Sequence, residues 1–238
     1  MRAPHQLVHS RARVRQRYAL LPLEGYPTSR LPNWPDAEVR VLASPALGAQ
    51  FVQYLIDVPA GKSGRFGGDE RIETFAYVLS GPAAGIFSLL PPGSEFTWRA
   101  ESASRLLVLR KAFERIELDK SFAPINGRES DTTATPFADN PHTRLQLLIP
   151  DELEYDMALN IFTFDPGHGL PYVETHVMEH GLLVLEGKGM YYLDGEWMEV
   201  ERDDFIWMGP YCPQSFYATG PSPAKYIYYK NVNREIPL

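Results

Sequence analysis

Only one cysteine stands in the chain, Cys212, so no disulfide can form within it, and the usage fits a reducing, cytoplasmic setting. Basic residues are the minority: 23 Lys and Arg face 30 Asp and Glu, a formal charge of -7, which excludes the basic footprint of a nucleic-acid binder. Apolar runs long enough for a membrane helix, roughly 18 residues, are absent. The Arg-bearing start MRAPHQLVHSRARVRQRY has no apolar core, which argues against a secretory signal and favours a surface arm over an import signal. Sustained helical periodicity is missing too. AFERIELDK at 112–120 is the one brief helix expected. Histidines number six, so two within one short segment carry information.

Turns and short apolar segments are abundant. EVRVLAS, QFVQYLIDV, ETFAYVLSG, GIFSLL and SRLLVLRKAF follow one another between Pro/Gly turns. MALNIFTFDPG, GLLVLEGKG, MYYLDGEWMEV, DDFIWMGP and AKYIYYKNV repeat the theme later. Many short strands at even spacing predict an all-β sandwich or barrel. The two runs also lie over each other. FVQYLIDVPAGKSG (51–64) parallels MALNIFTFDPGHGL (157–170), and ETFAYVLSGPAAG (73–85) parallels EHGLLVLEGKGMY (179–191). This duplication predicts two barrels in tandem. The expected organisation is an irregular arm over 1–37, a first barrel over 38–120, a polar linker over 121–143 and a second barrel over 144–238.

Chemistry concentrates in 173–214. Side chains two apart on a strand share a face, so Glu174 and His176 point together, and His180 has the same parity. One carboxylate and two imidazoles suit a divalent ion such as Mn, Fe, Zn, Ni or Co. Gln214, after the turn GPYCP, is the candidate fourth ligand, and its neutral amide oxygen favours Mn over Zn. Cys212 shares the parity of Gln214, so spacing leaves a sulfur ligand open. His168 and Glu186 read as turn residues, Trp197 and Trp207 as barrel packing.

The pattern resembles the cupin family. Glu174-Thr175-His176, His180 and Gly187 stand at the places of its first motif; Asp203, Gly209-Pro210-Tyr211 and Gln214 stand at those of its second. The E-x-H-x-x-x-H-G-L-x-x-L-E-G-x-G-x-Y core, the D-x-I-W-M-G-P-Y-C-P-Q turn and the Y-x-x-Y-K-x-V-N-R tail (226–234) resemble, more narrowly, the (S)-ureidoglycine aminohydrolases. The resemblance implies two tandem jelly-roll-type cupin barrels with few short helices and a symmetric homo-oligomer. It also implies a Mn2+ enzyme that acts on a small ureide, with no nucleic-acid or membrane partner. By resemblance the metal ligands are Glu174, His176, His180 and Gln214, and the substrate site holds Tyr191, Tyr226 and Lys230. Glu174 and Lys230 are then the candidates for proton transfer. The first half has Gly68, Glu70 and Thr74 where ligands would stand, so it is expected to bind no metal. The competing readings are another metal cupin enzyme (dioxygenase, decarboxylase or isomerase) and a non-catalytic small-molecule-binding bicupin.

Overall fold

A computed structural model describes residues 11–117 and 122–234. The chain forms β1 (Arg13–Val14), β2 (Tyr18–Leu21), β3 (Ser29–Leu31), β4 (Trp34–Ala43), β5 (Phe51–Val58), β6 (Ser63–Phe66) and β7 (Ile72–Ser80). Next come β8 (Ile86–Leu90), β9 (Phe96–Arg99), β10 (Ser104–Ala112), β11 (Ile125–Arg128), β12 (Thr135–Phe137), β13 (Asn140–Leu147) and β14 (Met157–Phe164). The last six are β15 (His180–Glu186), β16 (Lys188–Leu193), β17 (Glu196–Glu201), β18 (Phe205–Met208), β19 (Gln214–Ala218) and β20 (Ala224–Asn231). Helical structure among the described residues is limited to short 3-10 turns such as Pro45–Leu47. The fold is all-β, as expected. The brief helix is not: 113–117 are irregular after β10, and 118–120 lie outside the described residues.

Two compact units form. The first comprises residues 26–132 with 152–156. Its large sheet runs β11-β8-β7-β10-β5-β4-β3, and its small sheet is β6-β9. Alternate residues of β5, β7 and β10 turn inward, where Ile56, Val58, Ala76, Val78, Leu106 and Val108 meet Trp34, Phe66 and Phe96. The close fit shows at Gly64, where an added Cβ would stand 2.1 Å from the Trp34 ring. A second buried feature is ionic. Lys111 lies 2.5 Å from Asp156 and 3.3 Å from Glu73, all three buried, and the Glu114 N–H donates to Asp156 at 2.7 Å. Burial and the neighbouring Asp156 raise the Glu73 carboxyl well above its ordinary value, so Glu73 is the protonated partner and Asp156 carries the charge opposite Lys111.

The second unit contains residues 11–25, 133–151 and 157–234 among those described. Its large sheet runs β1-β2-β18-β15-β20-β14-β13-β12, and its small sheet is β17-β16-β19. Two segments expected to be irregular carry strands instead. Within the arm, β2 pairs with β18 of this unit, while β3 and β4 belong to the first. Within the linker, β11 pairs with β8 in the first unit and β12 with β13 in the second. Arg11 fastens the arm: it bonds the buried Asp204 at 2.5 and 2.9 Å and Glu201 at 2.9 Å. The first ten residues lie outside the described ones.

Candidate active site

The cross-strand register of the second unit lays out its concave face in rows. Ala158, Lys230, His180 and Met208 are neighbours across β14, β20, β15 and β18. The next inward row is Asn160, Tyr228 and Leu182, and the next Phe162, Tyr226 and Val184. All of these but Met208 and Val184 line a cavity of about 690 Å³, walled by Tyr191 and Gln214 and by the segment that carries Glu174 and His176. That is a volume suited to a small molecule.

Backbone pairing fixes the ligand-bearing segment. Glu174 and Gln214 exchange N–H···O bonds of 2.8 and 2.9 Å, an isolated antiparallel bridge beside β19. The Tyr211 N–H donates to the His176 carbonyl at 2.8 Å. Tyr211 has φ 60, the left-handed conformation that turns the chain after Gly209-Pro210 and returns it to Gln214. Local turn chemistry thus converges residues 35 and 40 apart in sequence.

The expected residues meet as follows. The His176 and His180 rings lie 4.9 Å apart, and Gln214 Nε2 is 3.3 Å from His176 Nε2. Tyr191 donates its hydroxyl to Gln214 Oε1 at 3.1 Å. Tyr226 lies 6.2 Å from Tyr191, ring to ring. Glu174 and Lys230 line the same cavity. Among the described residues no three His, Cys, Asp or Glu side chains form a cation cage by themselves; the tight group is two imidazoles and an amide. Nδ1 of each imidazole is buried without a hydrogen-bond partner.

Electrostatics follow from burial and one cation. Burial lowers the His176 and His180 pKa values, helped at both by Lys230 and at His180 by His176, so both rings stay neutral, the form that ligates metal. Burial raises Glu174, with Lys230 pulling the other way. Tyr191 and Tyr226 are raised well above their ordinary value by burial and remain hydroxyl donors. Lys230 makes no ion pair within 4.0 Å among the described residues and is available to an anion. Cys212 points elsewhere: its thiol donates to the Pro213 carbonyl at 3.7 Å, and burial pushes its pKa up to about 11. The geometry therefore provides no sulfur ligand.

Other expectations divide. Trp207 is buried and donates to Glu179 at 3.2 Å. Trp197 is 52% exposed and lies against Tyr192, so it is not barrel packing. His168 is the turn residue expected, stacked on His142 at 4.1 Å and absent from the cavity wall. A buried polar pair in the cavity had escaped notice, Asn160 and Tyr228. The signal was present: an Asn inside MALNIFTF, with inward parity set by Phe162 and Phe164.

Residues 160–229 match the cupin domain family. The (S)-ureidoglycine aminohydrolase of Escherichia coli (strain K12) is 34% identical over 252 residues, covering 98% of this chain and 95% of that protein. The chain belongs to the (S)-ureidoglycine aminohydrolase family. Its curated members are named as enzymes. A solved structure of protein Ylba from E. coli matches with a TM-score of 0.85 at 31% identity, over all of both chains. A putative glyoxylate-induced protein from Pseudomonas aeruginosa matches with 0.88 at 30% identity, over 98% of this chain and 94% of that one.

Proposed function

We propose that the enzyme hydrolyses (S)-ureidoglycine to (S)-ureidoglycolate and ammonia, with Mn2+ or another divalent ion held in the second barrel. One observation supports this above the others. One small-molecule cavity brings two neutral imidazoles and the Gln214 amide together with Lys230, an ammonium with no ion pair within 4.0 Å among the described residues. The substrate has one carbon bearing an amine, a ureido group and a carboxylate, so it needs both an anion partner and polar donors.

The donor set fits a hard or borderline divalent ion. The imidazoles are neutral and their buried Nδ1 atoms lack partners; Gln214 faces His176 with its amide nitrogen and Tyr191 with its oxygen, and turning the amide over would offer the oxygen to an ion. Glu174, His176, His180 and Gln214 are the residues to hold it. When bound, such an ion supplies Lewis-acid polarisation of the substrate and a nearby water. Lys230 pairs with the substrate carboxylate and fixes the reacting carbon below the histidines. Tyr226 donates to a substrate oxygen. Tyr191, assigned by resemblance to the substrate, has its hydroxyl committed to Gln214, so its role is to orient that side chain. Glu174 is the half-buried carboxylate of the cavity and the candidate to move a proton between water and the departing amine.

Metal-reconstituted protein incubated with fresh (S)-ureidoglycine should release ammonia without consuming oxygen, and Glu174→Ala should not. Equal ammonia release by that variant would remove the proposed site; oxygen consumption would indicate a dioxygenase instead. No helix among the described residues is long and apolar enough to cross a membrane.

A further inference from the structure

Asn160 and Tyr228 are the buried polar members of the cavity that no role above uses. They face each other across β14 and β20, one row in from Lys230 and His180. Both line the cavity, and both are buried. Asn160 Nδ2 donates to the Tyr228 hydroxyl at 3.1 Å. That bond leaves two complementary groups over. Asn160 Oδ1 is buried with no hydrogen-bond partner, and the Tyr228 hydroxyl, having accepted, keeps its own proton to donate. Burial raises the Tyr228 pKa, so that proton stays on the oxygen.

We propose that this pair is the recognition site for the terminal carboxamide of the ureido group: Asn160 Oδ1 accepts from the NH2, and the Tyr228 hydroxyl donates to the C=O. One acceptor beside one donor is the complement of a primary amide or urea end. An ester, a carboxylate or a methyl ketone matches only half of it. The placement agrees with the proposed reaction on which this inference rests. A substrate whose carboxylate meets Lys230 extends its ureido arm to the next row of the same sheet.

A purely structural role is the competing explanation. The first barrel answers it. Its equivalent row is Tyr54, Val108 and Ala76, in which the Asn–Tyr pair is replaced by packing groups. Strand pairing at this level of the fold is thus made without a buried amide. An unpaired buried carbonyl oxygen is costly to keep unless something binds it.

The test compares two ligands on metal-loaded protein by calorimetry. One is (S)-ureidoglycolate. The other is its acetamido counterpart, with methyl in place of the terminal NH2. Wild type should prefer the ureido compound by at least about tenfold, as for a donor whose loss leaves a buried acceptor unpaired. Asn160→Leu should erase the preference by weakening only the ureido compound. Tyr228→Phe, which keeps the ring packing, should weaken both ligands together, since both carry the carbonyl. An unaltered preference in Asn160→Leu, or an equal loss on both ligands in that variant, overturns the assignment. Ammonia release from (S)-ureidoglycine is measured alongside. If wild type releases none, the functional reading fails and this inference with it. If wild type releases it and Asn160→Leu keeps its preference, the inference alone fails.

Discussion

The two barrels share a register and differ in what stands on it. Ala158, Lys230 and His180 in the second unit correspond to Val52, Arg110 and Thr74 in the first. Lys230 has no ion-pair partner among the described residues, whereas Arg110 is spent: it donates to Thr74 Oγ1 and to the Gly67 carbonyl, both at 3.2 Å, and lies 4.8 Å over the Phe66 ring. Phe66 is itself packed against Trp34 and Tyr54. So the first interior is closed by rings and a guanidinium held over one of them, an arrangement stabilised by cation–π attraction. The second barrel also has the hairpin β16–β17 between β15 and β18, where the first passes from β7 straight to β8. That hairpin brings Tyr191 to Gln214. One duplicated frame thus yields a packed body and a cavity through a few substitutions and one added hairpin.

The packed barrel should be sensitive to changes that the open one has no equivalent for. Lys111→Met is expected to have the largest effect, about 3–5 kcal/mol of lost stability in denaturant unfolding, because it strands the buried Asp156 carboxylate. A loss below 1 kcal/mol would show that the cluster is hydrated. Gly64→Ala comes next, at about 1–3 kcal/mol, since the new methyl meets the Trp34 ring. In the second unit, Arg11→Ala should cost about 1–3 kcal/mol by unpairing Asp204, with faster amide exchange in β2.

The smallest effect is expected at Asp165, which pairs with Arg144 at 2.6 Å and with His142 at 3.0 Å. Those partners hold its carboxyl well below the usual range. A depressed folded pKa contributes stability above the unfolded pKa, which is lost as pH falls towards the folded value. Asp165→Asn should therefore cost under about 1 kcal/mol near neutrality, and the difference from wild type should shrink below about pH 4. A difference undiminished between pH 4 and pH 2 would assign the effect to packing.

Much of this comparison was readable beforehand, and for physical reasons. Period-2 apolar runs between Pro/Gly turns mark strands locally, and FVQYLIDV against MALNIFTF shows the duplication without any contact. The meeting of His176, His180 and Gln214 does not come from strand parity: residues 171–179 form no strand beyond the isolated bridge at Glu174, and that bridge and the Gly-Pro turn bring them together. The shortest strands were not legible. β2, β11 and β12 are three or four residues long; β2 and β11 pair with β18 and β8, far along the chain, and β12, which contains Pro136, pairs with the neighbouring β13. Asn160 and Tyr228 escaped for a related cause: parity says that two residues share a face, but only the register shows that the face borders a cavity. Trp197 misled because an aromatic in an alternating segment reads as core, while β17 shows it to solvent.

The central claim is that one barrel binds a divalent ion and its twin does not. Titration of metal-free protein with Mn2+ tests it most directly, read by paramagnetic resonance of the free ion. The account predicts one ion per chain, lost in His180→Ala and retained in Thr74→Ala. Two ions per chain, or one ion still bound by His180→Ala, would contradict it.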